Sequence, residues 1–307
     1  MSLLTVGTMA YDALETPFGK TDRILGGAAT YIALSASYHV EKSNIVSVVG
    51  ADFEQQHLDL LKSKGADLDG VQIIQDGKTF FWSGKYHTDM NSRDTVDTQL
   101  NVLAEFNPVV PDAYKDAKYL MLGNLMPSVQ QKVLDQLTQR PKLVVLDTMN
   151  FWMDNFWDDL VEALKGVDVL TINDEEARQM SGEYSLVKGA KKIMTMGPNF
   201  LIIKKGEHGA LLFHEDKVFS APALPLEDVF DPTGAGDTFA GGFIGYLAKT
   251  DDISFENMKR AVICGSAMAS FTVEKFGTER VAELTIEEIN SRLKDFKDLV
   301  RVDIRLI

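Results

Sequence analysis

The chain has 307 residues, 45% of them hydrophobic and 25% charged, an ordinary composition for one large α/β domain. Its net charge of −14 repels nucleic acid and anionic lipid, so neither is expected as a partner. No apolar run approaches the roughly 18 residues that span a bilayer. The opening MSLLTVGTMAYDALE lacks the basic region of a secretory signal, and the single cysteine, Cys264, cannot form an internal disulfide; both point to the cytoplasm.

In chain order, residues 3–8 read as a strand and GGAATYIALSASYHV opens a helix. A strand follows at NIVSVVG and a helix at FEQQHLDLLKSKG, where Leu58 and Leu61 recur at helical spacing. The segment VQIIQDGKTFFWSGKYH carries two β-type runs around Asp76-Gly77, a hairpin signal. From residue 117 strands and helices alternate through KYLMLGNL, SVQQKVLDQLTQ, KLVVLDT, DNFWDDLVEALKG, DVLTIN, DEEARQMSG and FLIIKKG. These strands are short and nearly all apolar, as in a parallel sheet covered on both faces, and their alternation with helices implies right-handed βαβ units. The last third is expected to be helical over 235–249, 254–274 and 285–296.

The fold expected over residues 1–307 is a single three-layer α/β/α sandwich. It has a mostly parallel central sheet and a small β lid from about 11–25 and 72–105. Ligands of such sheets bind beyond the carboxyl ends of the strands. That singles out the polar residues directly after them: Asp12, Asn124, Asp147, Asn150, Asn173 and Asp231.

One stretch, DPTGAGDTFAGGF at 231–243, places Gly-Ala-Gly at the start of an apolar helix with an aspartate on either side. First-turn N–H groups have no partner within their helix, and glycines let several of them aim at one point with no Cβ in the way. In an acidic protein such a turn is a local device for holding an anion. Asp237 in that turn reads either as a partner of the helix dipole or as the base that takes a proton from a hydroxyl attacking phosphorus. The stretch is not a Walker A loop, and it lacks the third glycine of a dinucleotide fingerprint.

DPTGAGDTFAGGFI resembles the C-terminal signature of the PfkB/ribokinase family of carbohydrate kinases. The likeness extends through GGAATYIALSASYHV, VVGADF, NDEEA and KKGEHGALLF over nearly the whole chain. The resemblance implies a ribokinase-like kinase with Asp237 as general base and the Gly234, Ala235 and Gly236 amides stabilising the transferring γ-phosphoryl group. It implies that Asn173 and Glu176 help place Mg²⁺ and the ATP phosphates, Glu176 through water. Asp231 would lie near the anion hole and, in members that use one, near a monovalent cation such as K⁺. Lys205, Gly206 and Gly209 would line the nucleotide, with Ser266 and Gly277 passing the adenine. On the acceptor side it implies Asp12, Gly26 and Gly27.

Plainer readings stand beside these: Asp12 and Asp231 as turn residues, Glu176 as a solvated helix residue. The pattern is broken in two places. Tyr31 stands where the family carries an Asn that binds the sugar, and DTMNF, with Asp147 and Asn150, is one residue longer than the family's Asp-x-Asn and lacks the following Arg. Both changes touch acceptor recognition, so Tyr31 and Asn150 are candidate substrate residues.

The leading expectation is an ATP-dependent kinase acting on a hydroxyl of a sugar or nucleoside-like acceptor. The alternatives are a catalytically idle nucleotide- or sugar-binding protein that kept the fold, or a kinase of a non-sugar alcohol such as a vitamin precursor. A phosphosugar kinase would need basic residues near the acceptor, for which Lys85 and Arg93 are candidates. The aromatic lid suggests a homodimer. The five histidines show no metal-ligand spacing.

Overall fold

The structure is a computed structural model that describes residues 2–301. Its strands are β1 (Leu3–Val6), β2 (Ala10–Thr16), β3 (Gly19–Lys20), β4 (Ile24–Gly26), β5 (Ser43–Gly50), β6 (Ala66–Ile74), β7 (Phe81–Tyr86), β8 (Arg93–Gln99), β9 (Tyr119–Leu122), β10 (Leu143–Asp147), β11 (Val169–Asn173), β12 (Phe200–Lys204), β13 (Ala210–His214) and β14 (Lys217–Ala221). Its helices are α1 (Ala28–Ala36), α2 (Gln55–Ser63), α3 (Pro127–Leu134), α4 (Asn150–Asn155), α5 (Trp157–Leu164), α6 (Asp174–Ser181), α7 (Leu186–Met194), α8 (Ala235–Thr250), α9 (Phe255–Thr272), α10 (Glu279–Ala282) and α11 (Ile286–Leu299).

A nine-stranded sheet runs in the order β14-β13-β12-β11-β10-β9-β1-β5-β6. It is parallel except at the β12–β13 and β13–β14 pairs. Alternate side chains of its central strands enter two different cores. Leu4, Leu120, Val144, Leu170 and Leu201 pack with residues of α3, α5, α6 and α7 on one face. Leu3, Tyr119, Val145, Val169 and Ile202 pack with α1, α8 and α9 on the other. Strands buried on both faces have no polar side to show, which is why their sequences read as continuous apolar runs.

The strand order reverses between β1 and β9. From β1 the chain passes outward through β5 to β6; from β9 it passes the other way through β10 to β12. α1 and α3, which follow these two strands, therefore cover opposite faces and leave a crevice between their starts.

A second sheet, ordered β3-β2-β7-β8 with β4 paired to β2, forms the lid. Its strands lie within residues 10–26, one residue beyond the expected 11–25 at each end, and 81–99, narrower than the expected 72–105 because residues 72–74 belong to β6 of the main sheet. The expected hairpin at Asp76-Gly77 is corrected for the same reason. β6 pairs in parallel with β5 and β7 in parallel with β2, so the turn carries the chain from one sheet to the other. The helix expected across DNFWDDLVEALKG is two helices, broken at Phe156, whose extended φ of −141° cannot continue the first. α7 and β14 stand where no element was expected.

The lid is closed on the main body. The Thr233 hydroxyl donates to the Tyr86 hydroxyl at 3.0 Å, and the Phe18 and Phe230 rings lie 4.8 Å apart. At the lid's tip, a Cβ on Gly206 would fall 2.6 Å from Asn91 Oδ1.

α8 approaches α1 closely through its glycines: a Cβ on Gly241 would fall 2.4 Å from the Ile32 carbonyl oxygen. Overpacking of that kind costs about 1–3 kcal/mol or more. Gly241→Val is therefore expected to destabilise the fold by that amount, read as a lower urea midpoint of unfolding, and an unchanged midpoint would show that the α1–α8 contact yields without strain.

Candidate active site

Gly234 caps α8 in the left-handed conformation, with φ +73° and ψ 0°. The Tyr31 ring lies directly behind it, 2.4 Å from where a Cβ would be, so the position requires glycine for both its angles and its space. Ala235 N–H closes a 3.2 Å turn onto the Pro232 carbonyl, whereas the N–H groups of Gly234, Gly236 and Asp237 find no acceptor among the described residues. The positive end of the α8 dipole is thus bare where the sequence places the anion.

Asp231 holds this turn in shape. It is fully buried, Thr233 N–H donates to its Oδ1 at 2.9 Å, and Gly277 N–H donates to its Oδ2 at 2.8 Å. Burial raises its pKa, and these N–H bonds work to lower it. Both oxygens of the candidate cation ligand already accept backbone bonds. Gly277 likewise meets Asp231, with its own φ at +58°.

The acceptor side is built by the lid strands on α1. Asp12 points from β2 across Gly26, and a Cβ there would fall 2.0 Å from Asp12 Oδ2. Gly27, the α1 cap, has φ +93°, and its missing Cβ leaves room for the Thr8 carbonyl. Asp12 is 4% exposed, and burial, reinforced by the charges of Asp231 and Asp237, pushes its pKa from the ordinary 3.8 to about 8. Tyr31 is 1% exposed, and its hydroxyl has no hydrogen-bond partner. Burial first, and then the carboxylates Asp231, Asp12 and Asp237, raise its pKa well above that of an ordinary phenol. A buried hydroxyl left unpaired costs about 1–3 kcal/mol.

Asp237 lies between the two halves. Burial and the nearby Asp147 push its pKa to about 7, against the pull of Lys204 and Arg93. Behind it, Asn173 and Glu176 form a capping box on α6: Glu176 N–H donates to Asn173 Oδ1 and Asn173 N–H to Glu176 Oε2, each at 2.7 Å. Glu176 is buried rather than solvated, and burial carries its pKa up to about 7, with Lys204 opposing.

Among the described residues no group of three or more His, Cys, Asp and Glu side chains could hold a metal by itself. One buried carboxylate beside an anion hole does suit Mg²⁺, which prefers substrate phosphates and waters with one or two protein oxygens.

The remaining expectations fall as follows. Lys205 N–H donates to the Gly209 carbonyl at 2.7 Å, and Gly206 and Gly209 both have positive φ, forming a tight turn before β13. Ser266 is half-buried on α9. Asn150 opens α4 and its amide donates to Gln179 on α6 at 2.7 Å, with no hydrogen bond to the carboxylates near Asp237. Lys85 pairs with Glu15 at 2.6 Å within the lid. Arg93 stacks 5.6 Å over Trp82 and its charge reaches Asp237 and Glu176. The sequence does not single out Lys204 and Asp147 for the phosphate side; Lys204 reads as one of two lysines that end an apolar strand.

A crevice at the strand-order switch, a bare helix N-terminus and two buried aspartates beside it define a phosphotransferase site on a ribokinase-type fold. Residues 5–284 match the pfkB family carbohydrate kinases, and the chain belongs to that family. It is 32% identical to a cytidine kinase of Thermococcus kodakarensis over 80% of this chain and 88% of the relative. It is 28% identical to a nucleoside kinase of Methanothermobacter thermautotrophicus over 90% and 91%. Its fold is similar to the crystal structure of the Methanocaldococcus jannaschii nucleoside kinase, with a TM-score of 0.77 and 21% identity over 95% of this chain and 98% of that one. No helix among the described residues is long and apolar enough to cross a membrane.

The raised pKa of Asp12 has a consequence for stability. Above the ordinary pKa of 3.8 the unfolded chain releases this proton while the fold retains it up to about pH 8, so Asp12 takes stability away as pH rises through that window. Asp12→Asn is expected to raise the melting temperature of the ligand-free protein more at pH 8 than at pH 5, as read by differential scanning fluorimetry. An equal shift at both pH values would refute the buried-carboxyl assignment.

Proposed function

We propose that the chain transfers the γ-phosphoryl group of ATP to a hydroxyl of a nucleoside. The observation that carries this reading is Asp237, half-buried in the first turn of α8 beside unpaired N–H groups, where a base and an anion hole would share one space. The nucleoside acceptor is supported by the two relatives named as cytidine and nucleoside kinases. It is also in keeping with the aromatic group Phe151, Trp152 and Phe156 just past β10, where Phe151 is half exposed.

The acceptor hydroxyl is oriented by Asp12 and by the Tyr31 hydroxyl, against the open backbone of Gly26 and Gly27. Asp237 takes its proton as the oxygen attacks phosphorus in line, and the bond from phosphorus to the β–γ bridging oxygen breaks. The Gly234 and Gly236 amides donate to the charge that gathers on the phosphoryl oxygens, with Ala235 free to join by releasing its turn bond. The lid excludes water that would otherwise compete as acceptor. Mg²⁺ held with Glu176 and Asn173 would neutralise the phosphates. Lys205, Gly206, Gly209 and Ser266 flank the nucleotide. K⁺ beside Asp231 belongs to the same reading, and equal rates with and without K⁺ would remove it.

Asp237→Asn is expected to lower kcat by about 10²–10⁴-fold. In the wild type, kcat/KM should rise with pH to a plateau above about 7, because the base works only after losing its proton. The check is ATP turnover across a panel of nucleosides, sugars and vitamin precursors. Activity on sugars alone would reject the nucleoside assignment, and full activity of the Asn variant would reject the base. We also assign the exposed edge strand β8 to pairing of two lids; a monomer mass by light scattering would refute that assignment.

A further inference from the structure

Lys204 ends β12 beneath the first turn of α8, and its side chain is largely covered. Its Nζ lies 3.3 Å from both oxygens of Asp147, a bifurcated contact longer than the roughly 2.7–2.9 Å of a tight ammonium–carboxylate bond. An ammonium has three donors in a tetrahedral spread, so this straddling pose leaves protons directed elsewhere. The geometry at Gly236 shows where: a Cβ on that residue would fall 3.1 Å from Nζ. The ammonium therefore borders the same small volume as the Gly236 backbone. Burial works against its charge, but Asp147, Glu176 and Asp237 together keep it protonated, with a pKa above that of an ordinary lysine.

A cation with loose partners, pressed against a bare helix N-terminus, has the chemistry to meet an incoming anion. We propose that Lys204 is a catalytic residue whose ammonium contacts a non-bridging oxygen of the γ-phosphoryl group during transfer, completing the anion hole begun by the Gly234 and Gly236 amides. The proposal rests on the kinase reading. Lys204 keeps its protons throughout: the acceptor oxygen bonds to phosphorus, the bond to the β–γ bridging oxygen breaks, and the acceptor's proton goes to Asp237.

Removal of Lys204 also leaves Asp147 buried without its partner, which by itself destabilises the fold. The test is therefore a double-mutant cycle with Lys204→Met and Asp147→Asn, using intact protein and an acceptor the wild type turns over. Loss of a donor to a developing oxyanion costs about 10²–10³-fold in kcat. That loss is expected for Lys204→Met in the wild-type background and again in the Asp147→Asn background, where the double variant regains its melting temperature but not its rate. If Lys204→Met has no effect on kcat once Asp147 is neutral, Lys204 is only a counter-ion and the proposal fails.

Calorimetry gives a second readout that does not depend on turnover. Lys204→Met should bind ADP within about three-fold of wild type but lose about ten-fold or more in affinity for ADP with aluminium fluoride, a mimic of the transferring group. Equal loss for both, or for neither, overturns the contact. If the wild type phosphorylates nothing, the kinase reading fails separately. Lys204 is then judged by whether its removal abolishes a preference for β,γ-imido-ATP over ADP, and an unchanged preference rejects it.

Discussion

Asp12, Asp147, Asp231 and Glu176 are buried and Asp237 is half-buried, and the charges of several bear directly on one another, around a helix start where bare N–H groups, the Lys204 ammonium and the charge of Arg93 oppose them. Burial and mutual repulsion raise the pKa of Asp12, Asp237 and Glu176 by several units. Charge brought into this cluster therefore bears on the protonation of all three carboxyls. A carboxyl with a pKa near neutrality is useful to a phosphoryl-transfer enzyme, since it holds a proton weakly enough to lose it and strongly enough to take one back.

The fold supplies the crowding. Parallel strands all end on one edge, and the switch between β1 and β9 opens a crevice there. Asp147, Asn173 and Lys204 are the last residues of β10, β11 and β12, each delivered to that edge by a strand whose alternate side chains are packed into two different cores. Asp12 and Tyr31 come from the other side, through β2 and α1. α8 enters between them because Gly241 and Gly245 let it press onto α1. The lid fastens the arrangement through Tyr86 and Thr233.

The layer architecture was legible because buried parallel strands leave an apolar run of fixed length. The glycine turn that opens α8 was legible because DPTGAGD stands directly before an apolar helical stripe. Other features depend on distant partners that local pattern does not show. Asp76-Gly77 has the chemistry of a hairpin turn, yet the two runs it joins find better partners in different sheets. Phe156 breaks a helix whose apolar spacing continues past it, since the aromatic group it joins with Phe151 and Trp152 outweighs continuity. Lys204 and Asp147 are neighbours 57 residues apart in sequence, and only the β10–β11–β12 pairing brings them together. The contact of the Asn150 amide with Gln179 on α6 is likewise invisible to local pattern.

The ring of Tyr31 behind Gly234 makes the departure from the family pattern at residue 31 a matter of volume as well as polarity. A shorter amide there would leave a void behind the catalytic turn, and the turn would be free to rock into it. In this chain the aromatic face fills that void, while its unpaired hydroxyl lies within the field of Asp231, Asp12 and Asp237. Residues 31 and 234 are therefore coupled by packing: a change in the size of the side chain at 31 is felt directly by the backbone turn at the start of α8.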